Sequence, residues 1–383
     1  MTDLLITGIG HLTTNVGEAI RKAAVAIDGE LITFAGSESD APGVGSGRHL
    51  DADGSGVIPG FVDAHTHLVF AGDRADEFAA RLGGVSYAEI AASGGGILST
   101  VTATRMEPEE TLFALAAARA SRMLRAGTTT IEIKSGYGLS VTGEVRSLQV
   151  ASRFTTETTF LGAHLVPGEF AGRADDYVDL VCGAMLEAAA PHAKWIDVFC
   201  ERGAFDADQS ARVLDAGRAA GLGLRLHGNQ LGHGPGVQLA VEKECASVDH
   251  CTYLGDDDIE ALASSDTVAT FLPATDFSTR QPYPDARKVI DAGARVAIAS
   301  NCNPGSSYTT SLPFCIAIAV RDMGMTIEEA IAAVTVGGAA ALRRPDLGRL
   351  TPGSVGHAVV LDAPSYHHLA YRPGVQVVER VVT

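Results

Sequence analysis

Val57-Ile58-Pro59-Gly60-Phe61-Val62-Asp63-Ala64-His65-Thr66-His67 is the stretch that decides the fold. Its apolar, β-branched run predicts a strand over 58–63, and two imidazoles follow, one residue apart. In extended backbone, residues i and i+2 point to the same face. His65 and His67 would therefore converge at a strand end, and two neutral imidazoles there make half of a metal site. Seen alone the pair is a weak signal, because a solvated loop gives the same spacing.

The pattern repeats downstream. Short apolar runs predict strands at 58–63, 128–134, 158–164, 195–200, 222–227, 247–250, 268–273 and 296–301. Longer amphipathic stretches separate them, at 108–126, 143–154, 174–190, 207–220, 236–244, 256–264, 283–292 and 311–323. Eight strands each followed by a helix predict an α/β fold of the (β/α)8 TIM-barrel type. A doubly wound open sheet is the alternative, but no Gly-x-Gly-x-x-Gly turn follows the first strand. The two chain ends carry shorter strand-like pieces, at 4–7, 24–28, 30–35, 358–362 and 375–382. Neither end is long enough for its own core. Together, 1–56 plus 345–383 are expected to form a composite β-domain, a small β-sandwich, beside a barrel at 57–344.

The polar residues gather at the ends of the expected strands. His65 and His67 follow the first, Lys134, Ser135 and Tyr137 the second, and His164 ends the third. His227 and Gln230 end the fifth, His250 the sixth and Asn301 the eighth, where Asn303-Pro304-Gly305-Ser306-Ser307 follows. In a barrel the C-terminal strand ends share one rim, where active sites sit. One histidine at a strand end is commonly an ordinary hydrogen-bonded residue; five on one rim are not. His233 follows the fifth strand and is a weaker candidate, while His11, His49, His192, His357, His367 and His368 fall in the chain ends or in turns.

Composition narrows the partners. The chain has 383 residues, 46% hydrophobic and 20% charged, with a formal net charge of −17. That charge argues against a nucleic-acid or anionic-membrane partner. It also means an anionic substrate needs a local arginine or lysine. The six cysteines form no Cys-x-x-Cys pair and are expected as reduced thiols in a cytoplasmic protein. Met1-Thr2-Asp3-Leu4 does not open a signal peptide, and no apolar run approaches the roughly 20 residues of a membrane span.

The ordered motifs resemble the amidohydrolase superfamily, and within it the imidazolonepropionase family. They are the stretch 59–72, Ser93-Gly94-Gly95-Gly96-Ile97, the segment from Gly127-Thr128-Thr129-Thr130 to Gly136-Tyr137-Gly138-Leu139, and Phe160-Leu161-Gly162-Ala163-His164. His227-Gly228-Asn229-Gln230, Val248-Asp249-His250 and 303–307 complete the set. The resemblance implies hydrolysis of a small-molecule substrate, 4-imidazolone-5-propanoate, to N-formimino-L-glutamate in histidine degradation. It implies one zinc or iron ion, with His65, His67, His227 and Asn301 as ligands, and a homodimer. It places Arg74, Tyr137, His164, Gln230 and His250 around the substrate, and Asn303, Gly305 and Ser306 at its carboxylate end, where the 305–306 amides would form an anion nest. His250, Gln230 and Asn301 are the catalytic candidates.

One position departs from the family pattern. The eighth strand of the superfamily ends in an aspartate that binds metal and takes a proton from water. Here Ala299-Ser300-Asn301-Cys302 puts an asparagine there. Its oxygen can ligate weakly, but its amide is no base at neutral pH. Three readings stay open: His250 takes over proton transfer; the chain binds ligand without turnover; or it acts on another cyclic amide or amidine.

Overall fold

The computed structural model describes residues 2–85, 89 and 95–383. Its strands are β1 (Leu4–Leu12), β2 (Ile20–Asp28), β3 (Leu31–Ser37), β4 (Arg48–Asp51), β5 (Gly56–Pro59), β6 (Phe61–Asp63), β7 (Thr128–Ile131) and β8 (Ile133–Lys134). They continue as β9 (Thr158–Ala163), β10 (Trp195–Cys200), β11 (Gly223–Gly228), β12 (Ser247–His250), β13 (Val268–Phe271), β14 (Val296–Ile298), β15 (Ala358–Leu361) and β16 (Val378–Val382). Of the glycine-rich motif at 93–97, Ser93 and Gly94 lie outside the described residues.

Both chain ends meet in one seven-strand sheet ordered β16-β15-β5-β1-β2-β3, with β4 also paired to β1. Alternation along β1 sends Leu4 and Ile6 into one apolar cluster and Leu5 into another. Between Ile6 and Ile9 the register shifts. Gly8 allows the shift: its φ is +63°, and a Cβ there would lie 2.1 Å from Asp51 Oδ1. Ile9 thereby returns to the face of Ile6.

The expected first barrel strand at 58–63 is two strands. β5 pairs with β1 and β15 in the composite sheet, and β6 pairs with β7 in the barrel. The chain changes sheets at Gly60, whose NH donates to His357 O at 2.9 Å while the Phe61 NH donates to Gly127 O. The second expected strand is likewise interrupted, at Glu132, into β7 and β8. From β8 to β14 the ladder is parallel and sequential. It closes at the rim, where the Asn301 NH donates to His65 O and the His67 NH to Cys302 O, both at 3.0 Å.

The ends of two strands differ from expectation. β13 stops at Phe271, because Pro273 starts a helix over Pro273–Thr279. β14 stops at Ile298, so Asn301 lies in the loop beyond it, at φ +50°. Helices at Ala75–Leu82 and Ile97–Met106 precede the first expected helix.

Candidate active site

The segment Ala64–His67 runs between two strand ends. The Lys134 NH donates to Thr66 O at 2.9 Å on one side, and Thr66 bridges to Cys302 on the other. The Thr66 hydroxyl turns away from the mouth and donates to Glu132 O at 2.6 Å. His65 and His67 therefore share the inner side, with their Nε2 atoms 3.3 Å apart. The His227 ring centroid lies 4.5 Å from that of His65, and the His164 ring stacks on His67 at 5.3 Å. His250 closes the group, 5.5 Å from His227 and 5.8 Å from His65. All five imidazoles are buried.

Burial first, then the neighbouring imidazoles and Lys134, push the pKa values of His65 and His67 well below the usual value. Burial and the His227 and His65 rings do the same to His250, and His164 is pushed down to about 3. These four rings are neutral at pH 7 and offer lone pairs.

Beneath them lies a buried ionic layer. Lys134 Nζ sits 3.0 Å from Glu132, 2.7 Å from Asp197 and 3.7 Å from Asp249, and Arg225 lies 3.2 Å from Asp249. The carboxylates reach upward to orient two imidazoles: Asp249 Oδ2 to His65 Nδ1 at 2.6 Å, and Asp197 Oδ1 to His227 Nδ1 at 3.0 Å. With Nδ1 engaged, each ring turns Nε2 to the mouth. Burial opposes charge on Asp249, but Arg225 and His65 outweigh it and hold its carboxyl well below the usual range. For Lys134 burial is likewise outweighed by Asp197 and Glu132.

Among the described residues, four buried atoms of this group have no hydrogen-bond partner: His67 Nδ1, His227 Nε2, His250 Nδ1 and Asn301 Oδ1. Ligand atoms of His65, His227 and His250 also lie within 4.8 Å of one another. Ring nitrogens that converge at one point, each backed by a carboxylate or by burial, fit a transition-metal ion. The closest trio contains His250 where the family pattern has His67. Asn301 Nδ2 donates to Thr275 Oγ1 at 2.8 Å, which leaves its oxygen free for a ligand role.

A cavity of about 450 Å³ opens above the imidazoles. It is lined by His67, Tyr137, His164, His227, Gln230, His250 and Asn301, and by Arg74, Asn303, Gly305 and Ser306. Every residue expected at the site thus faces one space, except His65, which lies just beneath it. Arg81, Leu165, Phe199, Thr279 and Gln281 also line it and went unseen in the sequence. His233 does not; it lines a separate crevice with Cys200 and Glu201.

Two details correct the expected anion site. The Gly305 and Ser306 amides do not form an open nest, because both donate to Asn303 Oδ1 at 2.8 Å. The fork of Arg74 is engaged as well: Nε donates to Glu77 Oε2 at 3.0 Å, and Nη2 pairs with Glu77 Oε1. Its Nη1 packs on Gly305, where a Cβ would stand only 2.1 Å away. Tyr137 is held by its loop, since Glu144 accepts from the amides of Gly136, Gly138 and Leu139. The ionic layer was missed because Asp197 and Arg225 sit within apolar strands. A charge inside a run predicted to be buried was the available signal.

A parallel barrel with converging imidazoles on its C-terminal rim defines the amidohydrolase class of hydrolases. The amidohydrolase family model matches residues 57–382. The chain is 58% identical to an imidazolonepropionase of Salinispora tropica, over 100% of this chain and 98% of that one. It is 55% identical to an imidazolonepropionase of Streptomyces coelicolor, over 98% and 97%. Among solved structures, atrazine chlorohydrolase from Arthrobacter aurescens, complexed with zinc, superposes with TM-score 0.69 at 16% identity, over 99% and 94% of the chains. Guanine deaminase from C. acetobutylicum gives 0.72 at 12%, over 99% and 98%. These two show the fold alone. The chain belongs to the amidohydrolase family, in its imidazolonepropionase branch.

Proposed function

We propose that this protein hydrolyses the cyclic amide 4-imidazolone-5-propanoate to N-formimino-L-glutamate, a step of histidine degradation. The observation that carries the reading is the single cavity of about 450 Å³ shared by neutral imidazoles and the Arg74 guanidinium. Its lining suits a small polar ring with an anionic arm. Arg74 recognises the arm, at the expense of its pairing with Glu77. Asn303, Gly305 and the Ser306 hydroxyl face the same carboxylate end. Tyr137, His164 and Gln230 surround the ring.

His65, His67 and His227, with Asn301, would hold one zinc or iron ion; when bound it polarises the amide carbonyl and acidifies water. The remaining chemistry belongs to the chain. His250 is neutral and buried, so its ring accepts the proton of the attacking water and returns it to the leaving nitrogen. Asn301 serves through its one unpartnered oxygen as a ligand, and its amide takes no proton, which leaves proton transfer to His250.

The same reading proposes a cytoplasmic homodimer without nucleic-acid or membrane partners. The charge of −17 supports the absence of nucleic-acid and anionic-membrane partners, and among the described residues no helix is long and apolar enough to cross a membrane. It also divides the chain into a composite β-domain (1–56 with 345–383) and a barrel (57–344). The pairing of β5 with β1 and β15 supports one β-domain built from both chain ends.

The test is the rate of substrate ring loss with purified, metal-loaded protein beside its Asn301→Asp variant. General-base catalysis is worth about 10²–10⁴-fold. With His250 as the base, both proteins turn over, and their kcat values agree within about tenfold. A silent parent with an active variant means a protein that binds without turnover, which Asn301 specifically favours. Two silent proteins overturn the substrate.

A further inference from the structure

We propose that Asn229 is the positioning residue that aims His250 into the active-site cavity. The inference rests on the reading of His250 as the proton carrier.

Along β12, side chains should alternate between faces. Asp249 points inward, with its Oδ2 2.6 Å from His65 Nδ1. His250, the next residue, should point outward. It points inward too, because His250 and Cys251 both take left-handed backbone, at φ +84° and +52°. Two successive non-glycine residues in that region are strained and persist only where their surroundings over-determine them.

The restraint comes from the end of β11. The Cys251 NH donates to Gly228 O at 3.2 Å, and the Tyr253 NH donates to Asn229 O at 3.0 Å. Asn229 Nδ2 donates back to Tyr253 O at 2.9 Å, and reaches Asp258 Oδ2 at 3.3 Å. Asn229 is itself left-handed, at φ +55°, a conformation asparagine tolerates better than histidine or cysteine. Its side chain thus clamps the far side of the strained pair. Gln230, its neighbour, has a separate anchor: the amides of Gln230 and Leu231 both donate to Glu201 Oε2 at 2.9 Å. Loss of the Asn229 amide should therefore disturb His250 and spare Gln230.

Asn229→Gly keeps the left-handed backbone and removes the clamp. Displacing a reacting group by about 1 Å can cost about 10²-fold. The expected result is a kcat lowered about 10–100-fold, with KM changed less than about threefold. In a His250→Ala background the same substitution should lower kcat less than about threefold further, because the two act as one unit. Ring-nitrogen NMR gives a readout independent of turnover: the His250 signals shift in Asn229→Gly, and those of His164 do not. Should Asn229→Gly fail to fold, Asp258→Asn weakens the same clamp and should shift the His250 signals in the same direction by less. Unmoved His250 signals, additive kcat losses, or a change confined to KM would each overturn the proposal. A parent without turnover but with the expected NMR shift would instead sink the proposed activity alone.

Discussion

Two buried polar layers lie one above the other in this barrel, and they differ in kind. In the deeper layer Lys134, Glu132, Asp197, Arg225 and Asp249 are wholly buried, and every charge has an opposite charge within 3.7 Å. In the upper layer the imidazoles face one another, and four nitrogen or oxygen atoms have no partner among the described residues. Burial is equal, so burial alone does not mark the working site. What marks it is where unspent hydrogen-bonding capacity meets open space: His67, His227, His250 and Asn301 line the cavity, whereas Arg225 Nε and Asp249 Oδ1, also without a partner among the described residues, lie off it in a layer whose charges are paired.

The largest effect expected from breaking that division is on stability. Lys134→Met leaves Glu132 and Asp197 without their cation. Removing one partner of a buried ion pair costs about 3–5 kcal/mol. Urea unfolding should show a loss of that size; less than about 1 kcal/mol would mean that the deeper layer does not depend on Lys134.

Asp249 belongs to both layers, and its replacement separates them. Asp249→Asn keeps the shape but loses the carboxylate that fixes the His65 tautomer. Metal affinity, measured by competition with a chelator, should fall about 10–100-fold. Unchanged affinity would show that the layers are independent.

The smallest effect concerns pH, and it uses a carboxyl that has no paired cation among the described residues. Asp276 accepts from Thr252 Oγ1 at 2.9 Å, and its other oxygen is buried without a partner among the described residues. Burial, only partly opposed by Thr252, pushes its pKa up to about 7. The folded pKa lies above the unfolded one, so this group's contribution is full below about pH 4 and is lost as pH rises through about 7. Asp276→Asn removes that dependence. Relative to the parent, the variant should gain stability between about pH 5 and pH 8 in urea midpoints; a relative loss would contradict the assignment.

Much of this was legible in the chain, for identifiable reasons. Strand ends carrying His65, His67, His164, His227 and His250 announce themselves because histidine is uncommon after apolar β-branched runs. The break at Gly60 was not legible: an apolar run reads the same whether one sheet or two receive it. β4 was missed because Arg-His-Leu-Asp is mostly exposed and carries no alternation. The helix at Pro273–Thr279 was missed because Pro273 reads as readily as a strand terminus.

The sequence by itself determined the order of βα units and which imidazoles share one rim, since period and spacing are local properties. Only the tertiary structure decided which of their nitrogens stay free, that the 305–306 amides are already taken by Asn303, and that His250 turns inward. Those outcomes depend on contacts between residues distant in the chain and on single backbone dihedrals. A hydrogen bond such as that between His65 and Asp249 joins positions 184 residues apart. No local pattern encodes it.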